Sequence, residues 1–178
     1  MFPVPLFSPL HPVQGIREYP FNPLLETSLS CPRIMMIVEK LKTGITTESA
    51  EQTRALAAEL AAALPPDTTL ALHGDMGVGK TTFVQGLAQG LGVHEHVTSP
   101  TFAIYSVYQG TKLRLIHLDA YRLEQEAQID SLLLDEFLVS PYVLAVEWPE
   151  KTGSWLPTGA WHLTLAIIEG DKHQLLLR

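Results

Sequence analysis

Along this chain, two hydrophobic periods alternate. In residues 48–64 (ESAEQTRALAAELAAAL), Leu56, Leu60 and Leu64 recur four apart in an alanine-rich context, which is the spacing of one helical face. Ser49 and Gln52 stand three apart, as in a capping box, and predict the start of that helix. Pro65-Pro66-Asp67 ends it, because proline withdraws a donor and pushes the preceding residue out of the helical region. Residues 68–73 (TTLALH) then read as a short buried strand. Residues 80–91 predict a second helix, with Phe83, Leu87 and Leu91 on one stripe. Residues 102–108 and 113–118 predict strands parted by the turn Gln109-Gly110-Thr111. A short helix is expected over 129–139 and a buried strand over 143–146. Residues 161–168 and 173–177 form a predicted hairpin about Gly170-Asp171. Strands alternating with helices and closing on a hairpin predict an α/β three-layer sandwich with a mixed, mostly parallel sheet.

Residues 1–33 break this pattern. They hold seven of the 13 prolines and show neither period, so they are expected to be an irregular N-terminal extension before a domain over 34–178. Met35 and Met36 sit where the regular pattern begins, which makes either one a candidate native start.

Composition narrows the class. A chain of 178 residues suits one domain, and 46% hydrophobic with 17% charged residues excludes wholesale disorder. Cys31 is the single cysteine, so no intrachain disulfide is possible and no Cys/His set has zinc-ligand spacing. There is no run of about eighteen apolar residues and no signal-peptide pattern, and a cytoplasmic protein is expected. Twelve Lys+Arg against 19 Asp+Glu leave a net charge of -7, which disfavours tight nucleic-acid binding by this chain alone.

The candidate chemistry begins at Gly74-Asp75-Met76-Gly77-Val78-Gly79-Lys80-Thr81, which meets G-x-x-x-x-G-K-[ST] at every fixed position, between a predicted strand and a predicted helix. Glycines there let main-chain N–H groups turn inward around a phosphate, and the following helix points its positive end at the same place. Asp75, Met76, Gly77, Val78, Gly79, Lys80, Thr81 and Thr82 are therefore the candidate nucleotide-binding residues. Lys80 is expected to reach the β- and γ-phosphates, and the Thr81 hydroxyl to complete a magnesium shell. The fold implied is a P-loop NTPase sandwich, with ATP and Mg2+ as ligands.

Such a loop needs an acid for the metal and a group that orients the attacking water. Asp119 follows Leu115-Ile116-His117-Leu118, and Glu147 follows Val143-Leu144-Ala145-Val146. Ligands of open α/β sheets bind off the carboxyl ends of the strands, so both acids can converge on the nucleotide. The residues leave open which one touches the metal.

Four pieces together resemble one family. They are 74–83 (GDMGVGKTTF), 97–102 (VTSPTF), 117–123 (HLDAYRL) and 146–150 (VEWPE), in an order and spacing similar to the TsaE (YjeE) ATPases of bacterial tRNA threonylcarbamoyladenosine synthesis. The likeness covers roughly residues 36–178. It implies ATP hydrolysis in support of two partners, the threonylcarbamoyl transferase TsaD and its inactive paralogue TsaB, which modify adenosine 37 of tRNAs reading ANN codons. It further implies Thr81 and Glu147 at the magnesium and Asp119 assisting hydrolysis. Thr98, Ser99 and Thr101 would lie in a nucleotide-sensing switch, with Trp148 on a second mobile strand end. The proline-rich extension departs from the family pattern.

Each piece also has a plainer reading. Ser99-Pro100 is a common turn, Tyr121 and Arg122 can simply pack and pair, and a tryptophan before proline is often core or rim. A P-loop kinase for a small metabolite is a rival function, but it needs arginines to clamp the phosphoryl group, and after the loop the chain has only Arg114, Arg122 and Arg178. No N-K-x-D or D-x-x-G guanine-enzyme motif occurs, so adenine is the expected base. A regulatory module in which occupancy rather than turnover controls a partner is the third reading.

Overall fold

The computed structural model describes residues 32–178; the proline-rich segment lies, up to residue 31, outside the described residues. The chain runs α1 (Pro32–Thr43), β1 (Ile45–Thr47), α2 (Ala50–Ala61), β2 (Thr68–His73), α3 (Lys80–Gly90), β3 (Tyr105–Gln109), β4 (Arg114–Asp119), a single-turn α4 (Ala127–Asp130), β5 (Tyr142–Glu147), β6 (Trp161–Ile168) and β7 (Lys172–Leu177), with short 3-10 turns between the later strands. The seven strands form one open sheet in the order β1-β7-β6-β2-β5-β4-β3. Its interior pairs, β6 with β2, β2 with β5 and β5 with β4, are parallel, whereas the outer pairs are antiparallel.

The start of α2 keeps half of the capping box expected from sequence. The Gln52 amide N–H donates to Ser49 Oγ at 3.2 Å, whereas Gln52 Oε1 reaches one residue past the cap and accepts from the Glu48 amide N–H at 2.8 Å. Helices α2 and α3 then pack against each other and against one sheet face. Gly86 and Gly90 of α3 lie against the α2 backbone, where Ala57 and Ala61 keep the approach close. Phe83 and Leu87 of α3, Leu60 of α2, Leu41 of α1 and Leu70, Leu115, Val143 and Leu163 of the sheet make the main core. Each large side chain buried there contributes about 1.5–3 kcal/mol.

The alternate strand positions face the other way. Ile116, Leu118, Leu144 and Val146 pack with Leu123, Ile129 and Leu134 into a second, smaller core. That layer is made of single turns, because the segment expected as one helix over 129–139 is broken. Leu133 adopts φ 52, ψ 35 and stands 60% exposed, which lets Ile129 and Leu134 on either side both reach the core. The strand expected from 102 begins three residues later, because a turn closed by the Ile104 amide on the Pro100 carbonyl comes first. Helix α1 and the three-residue β1 have no counterpart in the periodicity.

Candidate nucleotide site

Strands β2, β4 and β5 run in the same direction, so their carboxyl ends meet at one edge of the sheet. β2 leads there into the glycine loop, β5 ends at Glu147, and β4 ends at Asp119. Because β5 lies between the other two, Glu147 is next to the loop strand and Asp119 is one strand farther out. The two acids are register partners, and alternation puts His117 on the same face as both.

The loop has the shape its glycines allow. Gly77 and Gly79 have φ 83 and 95, a region L side chains rarely adopt. A Cβ on Gly77 would project into open space, with no atom within 4 Å, and that space is the mouth of a cleft of about 330 Å³. Val78 is buried beneath the loop, whereas Met76 is exposed and lines the cleft with Gly77, Lys80, Thr81 and Thr82. An open cradle of this size beside a lysine, at the positive end of a helix, suits a phosphate chain.

Lys80 is only 4% exposed. Its ammonium donates to the Gly74 carbonyl at 2.6 Å and to the Asp75 carbonyl at 2.8 Å, and sits 3.9 Å from the centre of the Trp148 ring. Burial pushes it below the ordinary lysine value, although Glu147, Asp119, Glu150 and Asp75 pull it upward. Trp148 is held over it with φ 58 and ψ 52, a left-handed backbone costing about 1–3 kcal/mol in a bulky residue, and its ring rests 5.1 Å from that of Tyr121.

The acids have different partners. Glu147 Oε1 accepts from the Thr81 hydroxyl and from His117 Nε2, each at 2.8 Å. Asp119 Oδ2 accepts from Ser99 Oγ at 3.0 Å and Thr101 Oγ1 at 2.6 Å, while Oδ1 accepts from the Tyr121 amide N–H at 3.1 Å. Both carboxylates are 3% exposed. Among the described residues, no group of three His, Cys, Asp or Glu stands ready for a metal. A cation held by one hydroxyl, one carboxylate and phosphate oxygens fits this donor set, and magnesium is typically bound that way.

Most of the candidate residues therefore meet in one place: Met76, Gly77, Gly79, Lys80, Thr81, Thr82, Ser99, Thr101, Asp119, Glu147 and Trp148 all border the cleft. Thr98 is exposed and does not line it. Asp75 reaches the site through its carbonyl on Lys80, and Val78 supports the loop from below. Two contributors had no assigned role in the sequence reading. Tyr121 backs Trp148, a contact between strand ends that no local pattern reveals. His117 is fully buried, binds Glu147 and leaves Nδ1 without a partner among the described residues; a histidine two positions before Asp119 on one strand was the available signal.

Residues 47–175 match the family model described as threonylcarbamoyl adenosine biosynthesis protein TsaE. The chain belongs to the TsaE family. A TsaE protein of Bacillus subtilis is 38% identical over 129 residues, covering 72% of this chain and 80% of the relative. One from Streptomyces coelicolor is 44% identical over 121 residues, covering 66% and 81%. Both relatives are named tRNA threonylcarbamoyladenosine biosynthesis proteins. The crystal structure of Bacillus subtilis YdiB superposes with a TM-score of 0.63 at 33% identity, covering 74% of this chain and 81% of that one. The matched TsaE span contains the glycine loop, both acids and Trp148.

Proposed function

We propose that this TsaE-family protein hydrolyses magnesium-bound ATP in tRNA threonylcarbamoyladenosine synthesis, in support of the transferase TsaD and its paralogue TsaB. The observation that carries the reading is the hydroxyl of Thr81 on Glu147 Oε1 at 2.8 Å, across 66 residues of sequence, at the rim of an open phosphate-sized cradle. The names of the relatives support the pathway.

In this reading the loop amides and Lys80 bind the phosphates, and Lys80 exchanges its two carbonyl partners for phosphate oxygens. Thr81 and Glu147 are the residues that would hold magnesium, which would screen the negative charge of the phosphates. His117 holds the Glu147 carboxylate in place from behind. Asp119 is the carboxylate left to orient the attacking water, and the Ser99 and Thr101 hydroxyls bound to it tie the 98–101 segment to that step. Trp148, with its strained backbone and its ring over Lys80, would move when Lys80 turns to the phosphates. A bare P-loop hydrolyses slowly, so the partners are expected to complete the catalytic site.

No helix among the described residues is long and apolar enough to cross a membrane. The proposed work is in the cytoplasm. It is tested by tRNA modification in vitro with TsaD, TsaB, tRNA and Mg-ATP. Wild type should sustain modification and release inorganic phosphate, and Lys80→Ala should do neither. Asp119→Ala should bind ATP but fail. Full modification by Asp119→Ala would replace turnover with occupancy, and a phosphorylated small acceptor in place of free phosphate would make the protein a kinase.

A further inference from the structure

The glycine loop has two flanks. On one side of β2 lie β5 and β4 with Glu147 and Asp119, where the terminal phosphate and its metal belong. On the other side lie β6 and β7. In the ATP reading, with the phosphate tail turned to the acids, the opposite β6–β7 flank is the side of the loop left for the nucleoside.

One side chain there already touches the loop. His173, near the start of β7, lies on the same sheet face as Leu175, and its Nδ1 is 2.9 Å from the Val78 carbonyl oxygen. It stands beside Gly79, 3.7 Å from where a Cβ on that glycine would be, with Thr82 on the same side. A carbonyl can only accept, so Nδ1 must carry the proton. In a neutral imidazole this leaves Nε2 with a free lone pair. Nε2 has no partner among the described residues, and the ring is half-buried rather than sealed.

We propose that His173 is a base-reading residue whose Nε2 accepts a hydrogen bond from the 6-amino group of adenine. The Val78 carbonyl sets this preference by fixing the tautomer. Guanine presents a carbonyl oxygen at the same ring position, which would place two lone pairs against each other. The discrimination therefore needs no separate guanine-rejecting loop, and the chain has no N-K-x-D sequence. The assignment rests on the reading of the loop as an ATP site.

The test is calorimetric titration of the wild-type protein, with magnesium, using ATP, purine riboside triphosphate (no 6-substituent), ITP and GTP. The same series is run on His173→Phe, which keeps an aromatic ring but removes the acceptor. Wild type should bind ATP roughly three- to tenfold tighter than the purine analogue, the range of one net hydrogen bond, and should bind ITP and GTP more weakly still. In His173→Phe the ratio of ATP to purine analogue should fall to about one. Imidazole nitrogen resonances of the wild-type protein should show the Nδ1-protonated tautomer, with the Nε2 signal moving on addition of ATP but not of the purine analogue. Equal binding of all four nucleotides by wild type, or an Nε2-protonated ring, overturns the role of His173 and leaves the ATP site standing. Failure of every triphosphate to bind overturns both.

Discussion

Replacing Lys80 by methionine should weaken ATP binding while sparing the stability of the nucleotide-free protein. The lysine is 4% exposed, and its charge is supported by two carbonyls and an aromatic face. Burial nevertheless outweighs those partners and the nearby acids, because the group sits below the ordinary lysine value of 10.5. A folded-state value below the unfolded one means that the unfolded chain holds this proton more firmly. The penalty is therefore complete below the folded-state value and is relieved as pH rises through it toward 10.5. Methionine keeps an unbranched chain without the charge, so Lys80→Met without nucleotide should be as stable as wild type within about 1 kcal/mol, or more stable. ATP binding should suffer, because a charge-assisted bond to phosphate is worth about 1.5–3 kcal/mol, which makes the loss about 10- to 100-fold. At an ATP concentration of about one hundred times the wild-type Kd, wild type gains about 2.7 kcal/mol, and the variant should gain only about 0.4–1.4 kcal/mol. Urea denaturation with and without Mg-ATP measures both quantities. A variant that loses more than about 2 kcal/mol without nucleotide, yet gains as much as wild type from ATP, would refute the reasoning.

Gly86→Ala should destabilise the protein by about 1–3 kcal/mol in urea denaturation, although helix propensity alone favours alanine by about 1 kcal/mol. The added methyl would land on the Arg54 carbonyl oxygen and 2.7 Å from Ala57 Cβ, and a midpoint equal to or above wild type would show that the helices can part freely. His73 is held below the ordinary imidazole value of 6.5 by burial and by His162, whose ring stacks 5.2 Å away, with Arg178 acting the same way and Glu150 at 3.9 Å opposing. The unfolded chain therefore takes up this proton first, and wild-type stability should fall as pH drops through and below 6.5. His73→Gln should flatten that slope in denaturation midpoints measured across the range, and an unchanged slope would remove His73 as its source.

The elements read most accurately from sequence are those specified by neighbouring residues. Ser49 caps α2 through the Gln52 amide as expected, and β2 runs over the expected residues, because each depends on contacts a few positions apart. Where a buried layer set the backbone, periodicity failed. Leu133 turned left-handed to seat Ile129 and Leu134 in the second core, and β1 is three residues recruited by the edge of β7. Helix α3 carries two glycines that look like weak points until α2 is seen against them.

The amino-acid order by itself determined that a phosphate-cradling loop would follow one strand and that two carboxylates would end two others, because loop, helix start and strand end are contiguous. Which acid meets which hydroxyl was decided by the tertiary structure. Placing β5 between β2 and β4 joins Glu147 to Thr81 and His117, leaves Asp119 to Ser99 and Thr101, and brings His173 to Val78 across 95 residues. Strand order is settled by long-range packing, in which distant segments compete for the same sheet edge, and no local pattern encodes the winner.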